Sequence, residues 1–259
     1  MTRLSIFARH VWAIADAEIR KLRHDPWELL TRAVQPTLWL LVFGEVMGGV
    51  RGLPTGGFAY LDFLVPGILA QSVLFVAIFY GISVIWERDL GILQKYLVSP
   101  APRTALVLGK AVSAGVRGLS QAVIVYLLAF LLGIATKFQP MAILGVLVLI
   151  VLGAALFSTL SLIVACLVKT RERFMGIGQV LTMPIFFASN AIYPLSLMPT
   201  WLRTISIANP LTYQVDGLRT LMLQGGASGL GLELDFAVLL GTTALLVILA
   251  AGLYPRMVT

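Results

Sequence analysis

Charge is scarce in this sequence. Only 12% of its 259 residues are Asp, Glu, Lys or Arg, and 59% are hydrophobic. Soluble domains carry roughly 25% charged residues and about 45–50% apolar ones. The deficit excludes a water-soluble domain and places lipid around most of the chain. Cysteine is almost absent: Cys166 stands alone, so no disulfide can close within one chain and no Cys/His metal spacing exists. Histidine is limited to His10 and His24, both before residue 30. With the acids few and scattered, the paired carboxylates or nucleophile sets of an integral membrane enzyme are missing. A phosphate-cradling G-x-x-x-x-G-K-[ST] loop is missing too, because Gly109–Lys110 is followed by Ala111 and lacks the earlier glycine. The net charge of +7 comes without a basic face interleaved with aromatics, so nucleic acid is not an expected partner.

Long apolar runs are what the sequence has. Windows near Ala33–Val50, Phe63–Ile85, Ala105–Ile134, Met141–Val168, Phe174–Tyr193 and Leu234–Tyr254 each reach about the 20 residues that a span requires. Six spans are therefore expected, in a domain covering residues 31–259. With the N-terminus inside, fourteen of the 19 Lys and Arg fall in inner segments and four in outer ones, which predicts both termini on the cytoplasmic side. Residues 1–30 form a separate unit. Arg3, Arg9, Asp16, Glu18, Arg20, Lys21 and Arg23 rule out a signal peptide. Leu4, Phe7, Val11, Ile14 and Leu22 make one helical stripe, as expected of an amphipathic helix lying in the membrane interface against anionic lipid.

The link between the last two runs is unusual. Leu197–Ala208 and Leu211–Leu223 are roughly helical and apolar, yet too short to cross a bilayer, and Pro199 and Pro210 stand where helices can begin. Two half-length helices suggest a re-entrant outer hairpin, with an external cap as the plainer alternative.

The most charged link is WERDLGILQKYLVSPAPRTALVLGK, Trp86–Lys110. Read as a helix over Glu87–Leu97, it places Leu90, Leu93 and Leu97 on one stripe and Arg88 and Lys95 on another face. Ser99–Pro102 stops it, and Thr104 is a candidate cap for the third span. By spacing alone this is either a short helix that docks on a soluble partner or a charged connector.

The same stretch resembles the signature region of the ABC-2 family of transporter permeases, through Glu87, Arg88, Gly91, Leu93, Leu97, Ser99, Pro100, Gly109 and Lys110. FLVPGILAQSV at Phe63–Val73 and ANPLTYQVDGLR at Ala208–Arg219 also resemble recurrent stretches of that family, in the same order. The resemblance implies the membrane-spanning subunit of an ATP-binding cassette exporter in a bacterial cytoplasmic (inner) membrane. Its flavour is that of the drug-resistance, nodulation-factor and polysaccharide-export branch. It implies that Glu87, Arg88, Leu90, Leu93, Lys95 and Leu97 belong to a coupling helix seated in a separate ATPase subunit. That partner would bind the ATP and Mg²⁺, leaving this chain without a cofactor, catalytic residue or metal. It further implies a second permease chain, identical or not, and a gating role for the outer hairpin through Asn209, Pro210, Tyr213 and Arg219.

Substrate is expected to be hydrophobic or amphiphilic: a drug, a lipid or a lipid-linked glycan. Phe75, Phe79, Phe186, Phe187 and Tyr193 are candidate pathway residues, with lipid-facing or belt positions as the alternative. Glu45 and Arg117 are the ionisable candidates within the apolar runs, and they are what an ion-coupled secondary transporter, the rival reading, would depend on.

Overall fold

The computed structural model describes residues 26–50, 54–92, 102–168 and 170–254, with Arg9, Trp12, Ala13, Asp16 and Arg20 of the preceding segment. Most of the expected 1–30 helix lies outside the described residues, although Arg20 and Asp16 pair at 2.7 Å with the i, i+4 spacing of a helix. Among the described residues the chain is helical, and its one extended pairing is an isolated bridge between Thr136 and Leu223.

The first apolar run is three helical pieces in series: α1 (Pro26–Leu38), a π-helical segment (Trp39–Gly44) and α2 (Glu45–Gly48). Pro36 has no amide hydrogen to return to the turn before it, and the wider π register follows within a turn. There follow α3 (Tyr60–Asp89), α4 (Arg103–Leu131), α5 (Pro140–Leu167), α6 (Arg171–Phe187), α7 (Thr200–Ala208), α8 (Pro210–Met222) and α9 (Leu232–Leu253). Four of these, α3, α4, α5 and α9, are long and apolar enough to cross a membrane. The other two expected spans differ from them, one being the broken α1–α2 series and the other the 17-residue α6 with Pro184 inside it.

The stretch expected as one helix over Glu87–Leu97 is interrupted at Leu90 and Gly91, with Ile92 helical again. Helix α3 continues through Glu87 and Arg88 to Asp89, then stops at Leu90 and Gly91. Gly91 adopts φ +70°, the left-handed conformation that closes helices and favours glycine. Leu93, Lys95 and Leu97 lie outside the described residues. Thr104 does not cap α4 either; Pro102 occupies the cap position and makes no side-chain bond there.

Helix α3 is the axis of the bundle and packs on α4, α5, α6 and α8. Leu64, Ile68, Leu69, Val73 and Leu74 have no exposure at all. Its glycines set two close approaches. A Cβ on Gly67 would strike the Ala191 carbonyl, and one on Gly81 would overlap Ser161 Oγ and the Phe174 ring. The apolar side chains left outside belong mainly to the flanking helices: Val123, Leu127 and Phe130 on α4, Leu144 and Val148 on α5, and Leu240, Leu245 and Ile248 on α9. In water such faces would aggregate; in lipid they are the expected outer surface.

Because backbone cannot give way as a side chain can, we expect Gly67→Ala to destabilise the bundle by roughly 1–3 kcal/mol. Gly48→Ala, with open space beside it, should leave thermal unfolding in detergent unchanged or slightly raised. Equal melting of the two variants would refute the close approach.

Candidate functional site

Four consecutive residues end α3, and four residues at 3.6 per turn point to all sides of a helix. Between them they meet three neighbouring helices. Both Glu87 carboxylate oxygens accept from Lys110 Nζ of α4, at 2.6 and 2.8 Å, and the two side chains are only 6% and 5% exposed. Arg88 Nη1 donates to the carbonyl of Val168 at the end of α5, at 3.1 Å. Asp89 Oδ2 accepts from Arg171 at the start of α6, at 2.8 and 3.2 Å. The same guanidinium lies 3.4 Å from the centre of the Trp86 ring. The last turn of α3 thus ties three other helices together.

These contacts are not equal in strength. The Asp89–Arg171 pair is about one-third exposed and in water contributes at most about 1 kcal/mol, to which stacking on Trp86 adds. The Glu87–Lys110 pair is buried, so losing either partner strands a charge, at a cost of roughly 3–5 kcal/mol. Two turns further along, Arg117 lies 5.1 Å from the Tyr80 ring, and Lys110 lies 5.6 Å from the same ring. Arg117 is therefore held within the bundle between α4 and α3. Glu45, by contrast, is exposed near the end of the first helical series.

A second polar assembly lies at the opposite end of α3. Asn209 caps α8 by accepting from Leu211 N at 3.0 Å, while its Nδ2 donates to the carbonyls of Ile185 and Ala188 at the end of α6. One side chain thus satisfies orphan groups at two helix termini. Pro210 is the first residue of α8, and Tyr213 Oη donates to the Ile207 carbonyl of α7 at 2.8 Å. Arg219 is buried: its guanidinium lies 3.8 Å from the Phe63 ring centre and donates to the carbonyls of Asn190 and Phe63. Nearby, Asp216 accepts from Ser228 Oγ and from the amides of Gly229 and Leu230, beside the fully buried Asp235 of α9.

The five candidate pathway aromatics separate. Phe186 is a core residue, edge-on to Trp39 at 5.5 Å with no exposure. Phe187 and Tyr193 line an apolar cavity of about 630 Å³, with Trp201 and Ile205 of α7 and Asn209. Phe75 and Phe79 line a smaller one elsewhere. Sequence reasoning missed Lys110 as the partner of Glu87, and missed Asp216 and Asp235. No spacing rule links residues 23 apart on two helices; a rule that flags every ionisable group next to an apolar run would have marked all three.

The profile of the ABC-2 type transporter family matches residues 9–223. The chain belongs to that family. Among its relatives is the ycf38 protein of Cyanophora paradoxa, named as a transport permease, 30% identical over 83% of this chain and 74% of its own length. The daunorubicin resistance ABC transporter permease DrrB1 of Streptomyces coeruleorubidus is 26% identical over 98% of this chain and 87% of its own. The inner membrane transport permease YadH of Escherichia coli K12 is 27% identical over 74% and 73%. As an ABC-2 permease the chain is a membrane subunit of an ABC transporter, and membership implies an ATP-binding cassette partner. Both polar assemblies fall almost wholly within the matched region; Ser228, the amides that follow it, and Asp235 lie beyond.

We expect Glu87→Gln and Lys110→Met each to lower stability in detergent by roughly 3–5 kcal/mol, and the double variant to lose much less than the two together. Additive losses in that double-mutant cycle would show that the pair is not coupled.

Proposed function

We propose that this ABC-2 permease forms the pathway of an ATP-driven exporter for a hydrophobic or amphiphilic substrate, and that the end of α3 receives the ATPase stroke. The observation that carries this reading is the junction of Trp86, Glu87, Arg88 and Asp89 with α4, α5 and α6. The stretch that the family resemblance assigns to the ATPase contact, Glu87, Arg88, Leu90, Leu93, Lys95 and Leu97, begins in this last turn and continues past it, and Glu87 is turned inward to Lys110. A push there arrives at a point where four helices are fastened together, so it moves them as a body rather than bending one of them.

The same reading takes the α1–α2 series and α6 as the first and fifth of six spans, with both termini cytoplasmic and the amphipathic 1–30 segment in the interface. Helices α7 and α8 form the re-entrant hairpin. In support, α8 is only 13 residues long, about 20 Å at 1.5 Å per residue, yet ten of those residues are buried. For α8 this suits the requirement that non-spanning backbone at membrane depth be covered by protein, whereas α7 buries only Ser206. The exposed apolar face of α6, with Ile177, Val180 and Phe187, suits a second permease chain across a central pathway. The apolar 630 Å³ cavity beside it suits an amphiphile. ATP hydrolysis belongs to a separate cassette subunit. Substrates of the drug-resistance kind are drawn from the name of the Streptomyces relative alone.

The test is ATP hydrolysis in proteoliposomes by this chain assembled with its cassette subunit, wild type against Leu93→Asp. We expect the wild type to co-purify with the ATPase and alter its turnover, and the variant to lose association or at least about tenfold in coupled turnover. Unchanged association and hydrolysis in Leu93→Asp would overturn the coupling assignment. Substrate movement without any ATPase would return the ion-coupled reading.

A further inference from the structure

The loop between α8 and α9 is fastened to a single carboxylate. Gly225 and Gly231, near its two ends, have φ +77° and +104°, where glycine carries no strain. Between them, Ser228 Oγ donates to Asp216 Oδ2 of α8 at 2.6 Å, and the amides of Gly229 and Leu230 donate to the same carboxylate at 3.3 and 3.0 Å. Gly231 N in turn donates to Ser228 Oγ at 2.6 Å. Asp235, in the first turn of α9, stands against this group with its Oδ2 3.4 Å from Ser228 Oγ. Asp216 is 6% exposed and Asp235 not at all.

Counting hydrogens shows which acid is charged. A serine hydroxyl has one hydrogen and two lone pairs. Ser228 gives its hydrogen to Asp216, the nearer acid, and accepts from Gly231. Toward Asp235 it has only a lone pair left, so that contact is favourable when Asp235 supplies the hydrogen. The other oxygen of Asp235, Oδ1, is buried and has no donor. Ionised, Asp235 would sit without water and without a hydrogen bond, and a buried ion in that state takes up a proton instead. The surrounding charges agree. From α8 come Asp216 and Arg219, which interacts with the charge of Asp216 while its guanidinium donates to carbonyls; Tyr213 is turned to Ile207. Helix α5 has no titratable group but Cys166 at its far end, and the nearest on α4 are Tyr126 and Arg117. On α9 itself Glu233 is exposed. Among the described residues no ion pair joins a cation, Lys137 of the 132–139 link included, to Asp216 or Asp235. One cation thus faces two acids, and a single proton brings the group to neutrality.

We propose that Asp235 and Asp216 share one proton through Ser228, and that this proton latches the 228–231 loop and the start of α9 to α8. In the closed form Asp235 donates to Ser228 Oγ, and Ser228 donates to the Asp216 carboxylate. Loss of the proton to water, past the partly exposed Ser228, sets a second negative charge beside Asp216 with no cation to meet it. Like charges this close do not both stay ionised in a buried site, so the loop and the first turn of α9 part from α8 and Asp235 becomes hydrated. The closed form therefore binds one proton more than the open one. Its stability is fully present at low pH and is lost as pH rises through the titration of the closed form. The inference does not rest on the export reading, since the latch is read on the permease alone.

The experiment follows backbone amide exchange of the purified full chain in neutral detergent, by mass spectrometry on the peptide spanning 224–233. It runs from about pH 6 to about pH 9.5, a range that brackets documented buried carboxyls, at about 8–9. After correction for base catalysis of exchange, protection of the loop should be flat at the low end. Above it, protection should fall by up to about tenfold per pH unit, the slope for release of one proton. Asp235→Asn, whose amide donates where the neutral carboxyl did, should keep its protection at every pH. Asp216→Asn, which sets a donor among donors, should lose about tenfold in protection even at the low end. Infrared spectra give a second reading on the wild type itself: a protonated-carboxyl band that disappears over the same pH interval and is missing from Asp235→Asn. Wild-type protection that does not change with pH would overturn the proposal. So would an Asp235→Asn loop as unprotected as that of Asp216→Asn, or a carboxyl band identical in wild type and Asp235→Asn.

Discussion

The structure depends on one buried ion pair. Lys110 and Glu87 sit where α4 begins and α3 ends, almost without solvent, and their attraction fixes the register of the two helices against each other. A hydrophobic pair of the same size would hold them as well or better, since desolvation offsets most of the Coulomb gain. What the pair adds is direction: a lysine that must meet a particular carboxylate permits one alignment, whereas leucines permit several. The other contacts of the last turn of α3 follow from that alignment. With Glu87 turned to α4, the helical rotation delivers Arg88 to the end of α5, and Trp86 and Asp89 to Arg171.

At the other end of α3 the fastening is again cationic, but its acceptors are carbonyls. Arg219 reaches the carbonyls of Phe63 and Asn190 and covers the Phe63 ring. Tyr60 donates to the Ile192 carbonyl at 2.9 Å, and Gly67 lets the backbone at Ala191 come against the helix. The segment between α6 and α7 therefore lies on α3 itself. Asn209 closes the circuit by bonding the end of α6 to the start of α8. Carbonyl acceptors suit this place, because a buried cation needs several oxygens around it.

How much of this was legible beforehand follows from what sequence patterns encode. Apolar runs report lipid, so α3, α4, α5 and α9 were placed to within a few residues. The starts of α7 and α8 were legible because proline admits so few positions. The run of charges from Glu87 was legible as a cluster, but periodicity carried a single helix across Gly91, where a left-handed residue interrupts it. Charge alone could not show that Glu87 faces inward and Asp89 outward, since that depends on which neighbours the last turn meets. Arg219 counted as an outer-loop charge in the orientation argument, yet it is buried. Phe186 had the composition of a pathway residue and the position of a core one.

These two ends make α3 more than a span. It is 30 residues long, about 45 Å at 1.5 Å per residue, with its one internal proline, Pro66, near the Tyr60 end. Beyond that proline it is unbroken to Asp89 and buried among α4, α5 and α6. A close-packed helix of this kind neither compresses nor bends easily, so a displacement imposed at Asp89 is felt at Phe63 unless a contact at one end breaks. The weakest fastenings are not the buried pair. They are the partly exposed Asp89–Arg171 contact at one end and, at the other, the single hydrogen bonds that hold the 188–193 segment. If α3 shifts along its axis, those yield first: α6 parts from the end of α3, and the segment leading into α7 slides past Gly67. The apolar cavity lined by Phe187, Tyr193 and Trp201 lies between the end of α6 and α7, beside the segment that those hydrogen bonds hold on α3.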